Sequence, residues 1–412
     1  VINRNYMIIN KLNISFRAAC VALSLVAASA SAVPASAQEK VSDILSMIEQ
    51  NNTELQALRK RAESEQYGYK AERALDAPEI GFDYLWSSPA DIGTRKDVSV
   101  TQSVDLAALT GARGKLATSK TALSDAQYRI DRQRVLLEAK SLYINIVYCN
   151  ALASELSERI ARSEKIESAY RDMQLRGETD MIEVNKAHLA YVAQKNALAR
   201  NEIERASLLA DLQRLNGGEA VEVNALVYDE NVMLPADFRV WYDEMSQSSP
   251  ELDYMRKNVE VNAGEARTAK MSNYPTLTAG YMAELVKGSN FRGLTLGLSI
   301  PLWSVRSKVR QANSSYEASK LEERDAANQL YSSLRGLYEK AKGLQEISST
   351  LSESLAVSTE AMALTEHRLQ AGEISLIDNI IEFSLYYSLE DEALEAARDY
   401  NLSLAELYAW EL

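Results

Sequence analysis

The chain repeats itself. Glu54-Leu55-Gln56-Ala57-Leu58-Arg59-Lys60 recurs as Glu251-Leu252-Asp253-Tyr254-Met255-Arg256-Lys257. Pro78 and Tyr84 recur as Pro275 and Tyr281, Val98-Ser99-Val100 as Leu294-Thr295-Leu296, and Gly177-Glu178 as Gly372-Glu373. Landmarks in one order, about 196 residues apart, imply two copies of one structural plan within a single chain. The first copy covers residues 38–216 and the second 249–412, with 217–248 as a connector or equatorial segment.

Each copy has the same order of elements. A first helix is expected over about 41–75 and again over 249–272. Two strands follow in each copy, at about 78–87 and 97–106, then at about 275–285 and 293–303. In the first strand Ile80, Phe82, Tyr84 and Trp86 alternate with Glu79, Gly81 and Asp83. In the fourth, Leu294, Leu296, Leu298, Ile300 and Leu302 alternate with Thr295, Gly297, Ser299 and Pro301. The third alternates less cleanly. Strands with one apolar and one small or polar face suit a tilted transmembrane β-strand, and equally the half-buried sheet of a soluble domain.

The long helices separate the two readings. Residues 112–172 lack proline, and Leu116, Leu123, Ile130, Leu137 and Ile144 recur every seventh position. Residues 304–370 carry Leu330, Leu337, Leu344 and Leu351, with a second series through Leu334, Ala341, Ser348, Leu355, Met362 and Leu369. Such heptads are a coiled-coil seam. Returning helices are expected over 180–216 and 375–411. A simple rod has no use for four amphipathic strands placed symmetrically ahead of its long helices. The fold class is therefore mainly α with a small β part.

Residues 1–37 read as a secretory signal: Arg4, Lys11 and Arg17 precede the apolar stretch 18–33, and Ala35-Ser36-Ala37 fits the cleavage rule. Arg17, three residues before Cys20, argues against lipidation there. Cleavage leaves Cys149 as the lone cysteine, without a disulfide partner. Past the signal, no apolar run reaches the length a membrane helix needs; residues 141–154 come nearest and are too short and too polar. The net charge of −13 disfavours nucleic acid as a partner. Tyrosine (21) far exceeds phenylalanine (5), which suits wet or interfacial surfaces. His188 and His367 share no metal-ligand spacing with each other or with Cys149. No nucleophile motif or phosphate loop occurs, so neither an enzyme nor a cofactor is expected.

Taken with their order and duplication, Asn52-Thr53-Glu54-Leu55, Ser249-Pro250-Glu251-Leu252 and above all Leu369-Gln370-Ala371-Gly372-Glu373-Ile374-Ser375-Leu376-Ile377-Asp378 resemble the TolC-type outer-membrane efflux family. A weaker copy of the last segment runs from Leu175 to Glu183. The resemblance covers the whole mature chain. It implies a homotrimer whose protomers each give four strands to a twelve-stranded outer-membrane β-barrel, continued by a coiled-coil helical barrel through the periplasm. It implies an exit duct, closest to the heavy-metal or general RND branch, passing small molecules or metal ions from an inner-membrane RND-type pump through a periplasmic adaptor. Ile80, Phe82, Tyr84, Trp86, Leu294, Leu296, Leu298 and Ile300 would face lipid. Arg176, Gly177, Glu178, Gly372 and Glu373 would form the tips that meet the adaptor. Asp378, and Glu183 in the first copy, would line the periplasmic constriction. The family's second acidic position falls on Ile381, so a double acidic ring is not expected. Two other readings stay open: the exit duct of a type I protein secretion system, and a periplasmic coiled-coil interaction protein.

Overall fold

The computed structural model describes residues 40–86, 88, 93–228, 232–301 and 305–412. The expected signal, residues 1–37, lies outside them, as do Leu302 and Trp303 at the expected end of the fourth strand. Helix α1 (Val41–Asn51) and helix α2 (Thr53–Glu72) lead into strand β1 (Glu79–Trp86) and strand β2 (Thr94–Val104). A single helical turn, α3 (Leu106–Leu109), precedes α4 (Ala112–Leu175), and α5 (Met181–Leu215) returns. The second copy runs through α6 (Phe238–Ser248), α7 (Pro250–Met271), β3 (Thr276–Val286), β4 (Ser289–Ser299), α8 (Val305–Gln370) and α9 (Leu376–Leu407).

The helix expected as one element over about 41–75 is two. Asn52 leaves the helical region and caps α2, its side chain accepting from Leu55 N at 2.8 Å. The second copy breaks in the same place, where Ser249 caps α7 and Pro250 occupies its first position. Residues 238–248, expected within the connector, are therefore the counterpart of α1. Buried Val41, Ile44 and Ile48 are matched 197 positions on by Phe238, Trp241 and Met245. Two aromatic residues and a methionine stand at those seats in place of Val and Ile, which hides the correspondence.

Strand ends also move from the expected positions for local reasons. β2 stops at Val104 because Asp105 turns the chain and caps α3, accepting from Ala108 N at 2.7 Å. β4 begins at Ser289, directly after the two-residue turn Lys287-Gly288, where Gly288 has φ +88°. It ends at Ser299, so Ile300 lies one residue beyond the strand, ahead of Pro301, which has no N–H for a ladder.

The long helices are about 95–100 Å each at 1.5 Å per residue, from 64 residues in α4 and 66 in α8. Among the described residues no helix is long and apolar enough to cross a membrane. The heptad leucines of α4 are half-buried and its heptad Ile144 is buried, while toward the sheet the buried positions include the small residues Ala117, Ser124 and Ala126. The reason is that α4 has neighbours on two sides rather than one. Toward the sheet it meets α2 through Ser124–Glu65 at 2.8 Å and α7 through Leu116 against Gly264. Farther along it meets α5 through Asn201 Nδ2, which donates to the Cys149 carbonyl at 2.8 Å, and α9 through Arg159. Small residues let backbones approach where helices flank on both sides.

The core gathers midway along these helices. One cluster joins α1, the middle of α4, the end of α5 and the segment 221–225 around Ile44, Ile48, Val135, Ile146, Val147, Leu212 and Leu215. A second seats Phe238, Met245, Leu334 and Leu407 among Trp241, Tyr242, Tyr338 and Tyr408. Asn52, 2% exposed, ties the first cluster: its amide also donates to the Leu215 carbonyl at 2.7 Å. Asn52→Ala removes a cap and orphans a buried carbonyl, so denaturant unfolding should register a loss of about 2–4 kcal/mol. Asn52→Asp, which keeps the cap, should lose less. Equal losses would show that the Leu215 bond, not the cap, carries the effect.

Candidate channel wall and helical tips

All four strands form one antiparallel sheet in the order β1-β2-β3-β4. The register aligns every row. Ile80 pairs with Val100, Val100 with Tyr281, and Tyr281 with Leu294. The neighbouring rows on that face are Phe82, Val98 and Ala283, then Gln102, Ala279 and Leu296, then Val104, Leu277 and Leu298. Paired residues of an antiparallel ladder share a face, so one side of the sheet is apolar across all four strands. The side chains stand in the open: Leu294 is 86% and Leu296 85% exposed, and Ile80, Phe82, Tyr84, Trp86, Leu298 and Ile300 are exposed with them. The weak alternation of the third strand is resolved here. Leu277, Ala279, Tyr281, Ala283 and Leu285 all fall on the apolar face.

The opposite face is small and polar. Its rows read Glu79-Thr101-Gly280-Thr295, Gly81-Ser99-Met282-Gly293 and Asp83-Asp97-Glu284-Phe291. A Cβ on Gly280 would come within 2.7 Å of Thr101 Cγ2 and the Val100 carbonyl, so this side is built for close approach. Arg95 lies among the carboxylates, 2.8 Å from Asp97 and 3.1 Å from Glu284. The outer edges of β1 and β4 have no ladder partner among the described residues.

At the far end of the helices the chain reverses twice by the same device. Gly177 (φ +76°) and Gly372 (φ +70°) take the left-handed conformation. Glu178 N donates to Met173 O at 2.9 Å and Gly177 N to Gln174 O at 2.9 Å. The second copy repeats this with Glu373 N to Arg368 O at 2.9 Å and Gly372 N to Leu369 O at 3.1 Å. This paired closure is the Schellman motif. Arg176 and Glu178 form an exposed ion pair at 3.0 Å across the first tip. Asp180 then caps α5 through Ile182 N and Glu183 N. The Glu183 carboxylate turns to Lys186 at 2.7 Å, which offsets its charge. Asp378 stays exposed at the start of α9, where the Ser375 hydroxyl donates to its carboxylate at 2.6 Å. Ile381, on the next turn, is also exposed. His188 Nδ1 sits 2.9 Å from Glu167 between α4 and α5. Among the described residues no three His, Cys, Asp or Glu side chains gather as a metal cluster.

One constellation was missed by sequence reasoning. Arg159 on α4 is 3% exposed and reaches α9, binding Asp391 at 2.8 Å and Glu390 at 3.1 Å while stacking 4.5 Å over the Tyr387 ring. Arg162 donates to the Tyr387 hydroxyl at 2.9 Å and lies over Phe383. Burial, then the charges of Glu390 and Glu158, raise the Glu155 carboxyl above its ordinary range. Two turns nearer the tip, Asn379 is 1% exposed and its amide atoms have no partner. A charged arginine in a coiled-coil stretch looks like a surface residue until a third helix covers it, and the heptad pattern does not encode that third neighbour.

A sheet of this kind, apolar on one face and open at both edges, mounted on paired helices of such length, has the fold of the TolC-type outer-membrane channels. Residues 241–410 match the model of the outer membrane efflux protein family. Among solved structures, CusC superposes with a TM-score of 0.77 at 14% identity, over 90% of this chain and 91% of that one. VceC of Vibrio cholerae gives 0.74 at 14%, over 90% and 95%. The open state of the MtrE channel of Neisseria gonorrhoeae gives 0.74 at 16%, over 90% and 88%. At these identities the likeness is one of fold. No curated protein matches by sequence.

The raised Glu155 carboxyl fixes the sign of one pH effect. The folded protein holds this proton at a pH where the unfolded chain has lost it. Its contribution to stability therefore falls as pH rises from the ordinary glutamate range through the folded value, and the penalty is complete above that value. Glu155→Gln should raise the melting temperature at neutral pH and flatten the gain on acidification across that window. Arg159→Met should cost about 2–4 kcal/mol by leaving Glu390 and Asp391 unopposed. An unchanged melting temperature in both variants would show that the cluster contributes nothing net.

Proposed function

We propose that three copies of the chain close a twelve-stranded barrel in the outer membrane and act as the exit duct of a tripartite efflux system. The observation that carries this reading is the sheet itself: one continuous apolar face, one polar face and two unpaired edges. Backbone groups on an open edge cannot be satisfied in hydrocarbon, so four strands enter lipid only as part of a closed cylinder. Strands of 11 residues are about 36 Å long, and a tilt near 40° gives a band of roughly 27 Å, close to the apolar height of outer-membrane barrels. The long helices then continue the passage into the periplasm.

Transport through such a duct is passive. An energised inner-membrane pump of the RND type, with a periplasmic adaptor, supplies the driving force for small molecules or metal ions, and the duct supplies a shielded aqueous path. Ile80, Phe82, Tyr84, Trp86, Leu294, Leu296, Leu298 and Ile300 face lipid in this reading. Asp378 supplies one carboxylate per protomer to a ring near the periplasmic end, favouring cations most at low salt. Glu183, paired with Lys186, is the weaker member of that ring. Arg176, Gly177, Glu178, Gly372 and Glu373 meet the adaptor.

Detergent extracts of outer membranes should yield a trimer that forms discrete channels in planar bilayers. A water-soluble monomer that never inserts would overturn the reading. In the same recordings Asp378→Asn should reduce cation selectivity, and unchanged selectivity would remove the ring. Gly372→Leu tests the tips separately. No atom lies within 4 Å of the position a Cβ would take there, so the cost is left-handed strain of about 1–2 kcal/mol. Trimer and conductance should survive while efflux in cells is lost; retained efflux would exclude the docking role.

A further inference from the structure

The charges of the sheet are sorted by face and by height. On the polar face, the strands carry Glu79, Asp83, Asp97 and Glu284, and their single cation, Arg95, is bound to Asp97 and Glu284. On the apolar face, the described strand residues include no acid. Lys96 and Arg292 are its only charges, exposed and in adjacent rows: Tyr84-Lys96-Leu285-Asn290 and Phe82-Val98-Ala283-Arg292. Lys287 stands in the turn, two residues beyond Leu285. These residues lie at the end of the sheet away from the helices, since α2, α4, α7 and α8 all join the opposite end. None of the three is ion-paired with a described residue; Lys96 rests 5.6 Å from the Tyr84 ring centroid.

Cations near a bilayer interface ordinarily extend their heads toward water, and both signs serve that purpose. A patch of one sign, on a face with no acid, does something more specific. Lys96 and Arg292 are two strands apart, about 10 Å, and one row of about 7 Å apart, so their side chains can converge over Leu285. Tyr84 and Trp86 flank the patch on β1, at the height where aromatic residues mark a membrane interface. Arg adds a planar fork suited to phosphate oxygens, and lysines add point charges.

We propose that Lys96, Lys287 and Arg292 form a site on the outside of the barrel wall for the phosphate groups of an anionic lipid headgroup in the outer leaflet, whose acyl chains lie along Leu294, Leu296 and Leu298. The proposal rests on the apolar face being the lipid-facing one. Three protomers present three such sites. Their occupant is a membrane lipid rather than free phosphate, because the chains and the headgroup are held by one continuous surface.

The test reconstitutes wild-type protein and Lys96→Gln/Lys287→Gln/Arg292→Gln into phosphatidylcholine nanodiscs containing a minority of diphosphorylated lipid A, and measures lipid A retained per trimer. Wild type should enrich lipid A several-fold over its bulk fraction, with the enrichment weakened by salt and indifferent to millimolar inorganic phosphate. The triple variant should return to the bulk fraction while its conductance stays unchanged, and Lys96→Arg/Lys287→Arg should restore enrichment. Equal enrichment by wild type and variant, both conducting, overturns the lipid site and leaves the duct standing. Competition by inorganic phosphate identifies a plain anion site and likewise overturns it. Failure of wild type to insert at all removes the duct and this site together.

Discussion

A row of unpaired backbone N–H and C=O groups runs along each outer edge of the sheet, and the rest of the design answers to it. In water those edges would be solvated. In lipid each unsatisfied group costs several kcal/mol, so the apolar face and the open edges make opposite demands on a single chain. Closure by further copies meets both. The paired helices all join the sheet at one end, and the core midway down fixes the helices to one another.

That core uses the duplication unequally. Both copies place an eleven-residue helix, a capping residue and a longer helix ahead of their strands. In the first copy aliphatic residues seat the short helix on α4. In the second, Phe238 and Tyr242 seat it among Tyr331 and Tyr338 of α8, and Trp241 meets Tyr408. The backbone plan is shared and the contact chemistry is not, so each half is locked to its own partner and a swapped pairing would leave aromatic rings unfilled or overpacked.

What the sequence revealed followed from periodicity and order. Alternation in β1 and β4 disclosed the apolar face, heptads disclosed the long helices, and repeated glycines disclosed the reversals. What it concealed depended on partners distant in sequence. The third strand's residues acquire a common face only through a register with β2, roughly 180 positions away. Arg159 reads as one more charge on a heptad until Tyr387, Glu390 and Asp391 cover it from α9. The break at Asn52 was encoded locally, by a residue that caps better than it propagates, and its echo at Ser249 would have exposed α6 as a copy of α1.

The two reversals at Gly177 and Gly372 are closed by the same main-chain hydrogen bonds, with an exposed Arg176–Glu178 ion pair across the first only. Their neighbours Arg176, Glu178 and Glu373 contribute nothing to the turn that another side chain could not leave intact. Shape at the tips is thus held by the backbone while surface chemistry there is unconstrained by folding. Those few residues could be rewritten at no expense to the helices above.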